Sequence, residues 1–189
     1  MKYEKLECGK FYHVFNQGNN KENIFIEEMN YSYFFKLMKK HIVPVADIFS
    51  YCLLKNHFHW LIQVKEEVEQ EKVSSAFSNF FNSYSKSINK KYNRTGSLFR
   101  DRFKRVQVKN EKYLKALIVY INLNPVYHNF VNKSEEYKYS SYLSLLSDKK
   151  TLLKRNVIIS MFEGKENLKY YLFKKKWDFD NKFSELTFE

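Results

Sequence analysis

Apolar and polar residues alternate along this chain with two different periods, and the switches between them mark its elements. Residues 10–16 (KFYHVFN) alternate weakly, as a half-buried strand does, and Gly18-Asn19-Asn20 behind them is turn chemistry. Tyr33, Phe34, Leu37, Met38 and His41 then recur at steps of three and four, which predicts a helix with Asn30 as its cap and Pro44 as its end. Two apolar runs follow, 47–54 (DIFSYCLL) and 57–64 (HFHWLIQV), separated only by Lys55-Asn56, and such a pair reads as a tight antiparallel hairpin. Helical spacing returns at Val73, Phe77, Phe80, Phe81, Tyr84 and Ile88, predicting a helix from about Glu67 to about Lys91. Beyond a turn at Asn93-Arg94-Thr95-Gly96, residues 103–109 (FKRVQVK) read as a strand and 111–123 as a helix. That helix is expected to stop before Asn124-Pro125, because the residue preceding a proline disfavours α geometry. Ser140–Ser147 suits a short helix, and 167–176 a last one.

Strand, helix, hairpin, helix, strand, helix is an α+β order. It predicts an antiparallel sheet with helices packed on one face. The 189 residues suit one domain with a small appendage. We place the domain at 1–146 and a helical C-terminal extension at 147–189.

Composition narrows the classes. A hydrophobic fraction of 44%, with 19% aromatic residues, is too high for a disordered chain, and four Gly and two Pro exclude collagen-like or Pro/Gly-rich sequence. No apolar run reaches the roughly 18–20 residues that span a bilayer, and the first ten residues, MKYEKLECGK, contain no apolar leader, so a cytoplasmic protein without membrane partners is expected. Cys8 and Cys52 form neither a disulfide framework nor a C-x-x-C site, which agrees with a reducing compartment.

Charge points to a partner. Lys and Arg number 33 against 21 Asp and Glu, a net +12 that concentrates polyanions. Lys90, Lys91, Arg94, Arg100, Arg102, Lys104, Arg105 and Lys109 crowd one stretch with a single acid, Asp101, and Tyr92, Phe99 and Phe103 are interleaved. Cations for phosphates beside rings for bases suit single-stranded or distorted nucleic acid. The plainer reading is a solvated cationic face over core phenylalanines.

His57-Phe58-His59 is the sharpest chemical feature. Strand alternation puts His57, His59, Leu61 and Gln63 on one side and Phe58, Trp60, Ile62 and Val64 on the other, the core side. Two outward imidazoles at i and i+2 can converge on one divalent cation, although most such pairs are ordinary histidines. Tyr120 and Asn124, at i and i+4, share one helix face. By spacing alone, Tyr120 is equally a packing residue among 15 tyrosines, and Asn124 a helix-end residue.

Several blocks together resemble the REP-associated tyrosine transposase family, within the single-tyrosine HUH transposases. They are Tyr12-His13-Val14-Phe15-Asn16-Gln17-Gly18-Asn19-Asn20; Tyr51-Cys52-Leu53-Leu54-Lys55-Asn56-His57-Phe58-His59-Trp60-Leu61-Ile62; Thr95-Gly96-Ser97-Leu98-Phe99-Arg100-Asp101-Arg102-Phe103-Lys104; Tyr120-Ile121-Asn122-Leu123-Asn124-Pro125-Val126; and Tyr139-Ser140-Ser141-Tyr142. They occur in family order across residues 10–142. The sequence departs from the family where Leu54-Lys55 replace Met-Pro, Gln17 replaces Arg, and Tyr127-His128-Asn129-Phe130 replace a small residue and Gly.

The resemblance implies a ferredoxin-like domain, with His57, His59 and Asn124 as ligands to a divalent cation, Mg²⁺ or Mn²⁺, and Tyr120 as nucleophile. It implies cleavage and rejoining of single-stranded hairpin DNA through a 5′-phosphotyrosine, with Lys90, Lys91, Arg94, Arg100, Arg102, Lys104 and Arg105 on the DNA backbone. A homodimer is left open. Three rivals stand beside it: a non-catalytic, domesticated hairpin-binding protein on the same scaffold, a metal-dependent enzyme unrelated to DNA, and a replication initiator or relaxase of the wider HUH class.

Overall fold

The structure is a computed structural model and describes residues 5–173. Four strands, β1 (Phe11–Gln17), β2 (Ala46–Leu54), β3 (His57–Val64) and β4 (Lys104–Val108), form one sheet in the order β2-β3-β1-β4. Every neighbouring pair is antiparallel. Helix α1 (Glu28–Leu37) joins β1 to β2, and α2 (Gln70–Lys91) joins β3 to β4. The order β-α-β-β-α-β with this strand arrangement is the split βαβ, ferredoxin-like layout expected from the sequence. Helices α3 (Glu111–Tyr127), α4 (Tyr142–Leu146), α5 (Arg155–Met161) and α6 (Lys165–Phe173) follow.

Sheet periodicity divides the strand residues between two faces. On one, Phe58 and Trp60 meet Phe34 of α1 at ring-centroid distances of 5.4 and 5.3 Å, and Trp60 meets Phe80 of α2 at 5.1 Å. The α2 stripe is Val73, Phe77, Phe80, Tyr84 and Ile88, all buried, as its spacing predicts. Phe99 joins this core, so of the three rings suggested for base stacking it is a packing residue.

The opposite face carries α3, which lies along β2 and β3. Helices α1 and α2 thus pack on one face, as the element order suggested, and α3 adds cover on the other. A sheet with apolar residues on both sides needs cover on both, and Leu61 and Cys52, on the far side from Trp60, are fully buried.

Two local expectations also shift. Asn30 sits inside the first turn of α1, and its Oδ1 reaches back to accept from the Ile26 and Glu27 amides at 2.9 and 3.0 Å, so Glu27 is the capping position. Helix α3 does not stop at Leu123 but runs through Pro125 to Tyr127. Pro125 gives the Ile121 carbonyl no amide donor, a cost outweighed by the burial of Ile121, Leu123, Asn124 and Pro125. Asn110 caps its start, accepting from the Tyr113 amide at 2.8 Å.

Beyond α4, Leu153 bridges to Ile48 of β2, and Ile158, Phe162, Leu168 and Leu172 enter the same hydrophobic core. The helix expected at 167–176 is α6; residues 174–176, and the C-terminal extension past 173, fall outside the described residues. Among the described residues, no helix is long and apolar enough to cross a membrane.

Candidate active site

Strand register builds the first half of the site. In β3, His59 lies opposite Cys52 of β2 and Phe15 of β1, and His57 lies opposite Leu54 and Gln17. The two imidazoles share the face that α3 covers, 5.3 Å apart by ring centroid and perpendicular. They do not project into solvent as the alternation alone implied: His57 is 5% exposed and His59 1%.

Helix α3 supplies the second half. The Tyr120 ring stands edge-on to His59 at 5.8 Å, and Tyr120 is 7% exposed. Asn124, one turn further, is fully buried beside His57. The structure thus brings His57, His59, Tyr120 and Asn124 into one cluster. A buried polar knot fixes the helix in this register. Asn122 Nδ2 donates to Ser50 Oγ at 3.0 Å, and its Oδ1 accepts from Ser141 Oγ at 2.7 Å. The two hydroxyls lie 2.9 Å apart, and Ser141 Oγ accepts from the Tyr51 amide at 3.1 Å.

Burial sets the protonation of the imidazoles. Desolvation pushes the His57 pKa down to about 4, with the charge of His128 adding to it and the Asn124 amide opposing it. His59 is pushed well below 6.5 by burial first, then by His13, His57 and His128. Both rings are neutral at pH 7, the state in which an imidazole offers a lone pair.

These residues suit a divalent ion. His57 Nδ1 lies 2.8 Å from Asn56 Oδ1, an acceptor, so the proton sits on Nδ1 and the lone pair on Nε2. His59 Nδ1 is likewise engaged, at 2.9 Å from His13 Nε2. Asn124 Nδ2 points at the Tyr120 carbonyl, 3.4 Å away, while its Oδ1 is buried with no hydrogen bond of ordinary geometry. Two imidazole nitrogens and an amide oxygen make a mixed donor set that Mn²⁺ accepts readily and Mg²⁺, which prefers oxygen, less so. Among the described residues no group of three or more His, Cys, Asp and Glu side chains is poised to hold a metal, so a three-donor set at this point would need the Asn124 amide.

The cationic stretch does not form one patch. Lys91 pairs with Glu27 at 2.5 Å and Arg94 with Glu22 at 2.5 Å, while Lys90 stays exposed near the end of α2. Lys104 lies opposite Phe15 and so shares the histidine face; Arg105, opposite Val14, is on the other. Arg102 and Arg105 line a groove of about 570 Å³ along α2, with Asn16, Phe77, Phe81 and Phe103. The Arg105 guanidinium stacks 3.9 Å above Phe103. Arg100 is exposed, its amide donating to the Gln17 carbonyl at 2.9 Å.

Three groups at the site were not legible as functional in the sequence. His13 contacts His59, His128 stands 4.8 Å from His57, and Asn122 with Ser50 and Ser141 anchors α3. The available signals were alternation on β1, which puts His13 on one face with Phe15, and the recurrence of both Asn122 and Ser141 inside the blocks quoted above.

The fold and cluster define an α+β protein with two buried neutral histidines facing a helix-borne tyrosine. Among solved structures, the chain is similar to the REP-associated tyrosine transposase bound to a REP hairpin, with a TM-score of 0.63 and 16% identity over 78% of this chain and 86% of that one. At that identity the likeness is one of fold, and it falls on the same family that the sequence blocks resemble. No model of a protein family matches the chain, and no curated protein does.

Proposed function

We propose that the protein is a tyrosine transposase that binds single-stranded hairpin DNA and cleaves and rejoins it at Tyr120. The observation that carries this reading is the meeting of the Tyr120 ring with His59 at 5.8 Å, with Asn124 one turn along the same helix. The fold likeness to a protein described as bound to a REP hairpin supports the substrate class.

The Tyr120 oxygen attacks the scissile phosphorus, displaces a 3′-hydroxyl and leaves a 5′-phosphotyrosine. A later 3′-hydroxyl attacks the same phosphorus and releases the phenol, so the number of phosphodiester bonds is unchanged. A divalent cation, held by His57, His59 and Asn124, would supply Lewis-acid stabilisation of the phosphate charge. His57 and His59 do their part as neutral rings. Lys104, which shares the face of the histidines, would draw the DNA backbone toward the tyrosine, and Arg102 and Arg105, which line the groove along α2, would engage flanking nucleotides.

The 7% exposure of Tyr120 favours a second reading, a hairpin-binding protein that does not cleave. Incubation with Mn²⁺ and a hairpin oligonucleotide separates the two. Transposase chemistry gives a protein–DNA adduct that survives denaturing electrophoresis, disappears in Tyr120→Phe and in His57→Ala/His59→Ala, and leaves hairpin binding in place. Binding without an adduct under any metal establishes the second reading, and an adduct in Tyr120→Phe removes Tyr120 as nucleophile.

A further inference from the structure

We infer that His13 is a positioning residue that makes His59 a ligand through Nε2; this rests on the metal site proposed above. His13 is fully buried in β1, and its ring lies against both Phe15 and His59, at centroid distances of 4.6 and 5.1 Å, with those two rings 5.7 Å from each other. Its Nε2 lies 2.9 Å from His59 Nδ1, so one nitrogen must carry the proton and the other the lone pair.

The two arrangements have opposite consequences. If His13 donates, the neutral His59 carries its own proton on Nε2, and that nitrogen cannot bind a cation. If His59 donates from Nδ1, its Nε2 holds a lone pair, and the hydrogen bond raises the basicity of that nitrogen. The second arrangement places the His13 proton on Nδ1. At that atom, buried without a hydrogen-bond partner, the second arrangement leaves an unpaired N–H and the first an unpaired lone pair, so His13 by itself does not favour the ligand form. The bias comes from the cation, and His13 contributes the acceptor that lets His59 respond. His57 reaches the same state by another route, through Asn56 Oδ1, which can only accept. One histidine is therefore locked in its ligand form by an amide oxygen, and the other is held by a partner that can also donate.

The test titrates the full-length protein with Mn²⁺ and follows the free ion by its electron paramagnetic resonance signal, with no DNA present. Three variants are compared with the wild type: His13→Phe, which keeps a stacked ring but has no acceptor; His13→Gln, whose Oε1 can stand where Nε2 does; and His57→Ala/His59→Ala. We expect His13→Phe to bind Mn²⁺ about 10–100-fold more weakly, the range typical for losing such a partner, and His13→Gln to recover most of that loss. Equal affinity of His13→Phe and wild type overturns the inference. So does an equal loss in Phe and Gln, which would assign His13 a packing role. If the wild type and the double variant bind Mn²⁺ equally poorly, the metal site itself is lost, an outcome distinct from failure of His13 alone.

Discussion

Replacing Asn122 by leucine removes the polar pin between α3 and the sheet while roughly preserving volume. Its amide donates to Ser50 Oγ and to the Ile118 carbonyl, at 3.0 and 2.8 Å, and accepts from Ser141 Oγ at 2.7 Å. After substitution Ser50 and Ser141 still hold each other at 2.9 Å, but the pair has two hydroxyl protons and only one mutual bond. One proton is left buried without an acceptor, at about 1–3 kcal/mol, and the lost amide bonds add about 1 kcal/mol net. The expected loss is about 3 kcal/mol, a large fraction of the 5–15 kcal/mol typical of a domain. Urea denaturation followed by circular dichroism reads it directly. Because both groups belong to one network, Ser141→Ala should cost at least about 1 kcal/mol less in the Asn122→Leu background than in the wild type. A loss under about 0.5 kcal/mol, or strict additivity of the two substitutions, refutes the pin.

Acid should destabilise the fold. His13 and His57 are held at about 3 and about 4 against 6.5 in the unfolded chain, so below pH 6.5 the unfolded state binds more protons than the native one. Their neutral forms cost nothing extra above that pH, and stability falls as pH drops, by about 2 kcal/mol per histidine between pH 6.5 and 5. Unfolding curves that coincide at pH 7 and 5 would contradict this. A thiol reagent should label Cys8, half-buried, in the native protein, and Cys52 only after unfolding, since burial both shields the latter and pushes its pKa up; two equally fast thiols would disprove that packing. For hairpin binding, Arg102→Ala and Arg105→Ala should each flatten the salt dependence by about one unit of logarithmic slope. Lys91→Ala and Arg94→Ala should change it less, because each cation already faces a glutamate. The same slope for all four variants would argue against the groove along α2.

Local patterning carried much of the architecture. The hairpin at Lys55-Asn56 pairs Leu54 with His57 as read, and the α2 stripe buries the residues its spacing selects. The errors have a common origin in tertiary structure. Proline at 125 is a good local stop signal, yet burial overrides it. Alternation sorts His57 and His59 onto the face away from Trp60, but nothing in a single strand says that a helix from 50 residues downstream will cover that face. The place of His13 is hidden from the sequence for the same reason: it comes from the register that sets Phe15 opposite His59, a long-range pairing. The cationic stretch looked continuous because charge was counted along the sequence. A strand turns alternate residues to opposite sides, and that separates Lys104 from Arg105.

Tyr120 and Asn124 ride on a single rigid rod at a separation of one turn. Each residue of an α-helix advances the azimuth by about 100°, so inserting or deleting one residue between them would swing one side chain a quarter-circle away from the histidines. Lineages descended from such a sequence should accept exchanges at the intervening positions while keeping their number constant. Gaps, rather than substitutions, would mark the descendants in which this rod no longer serves the paired imidazoles.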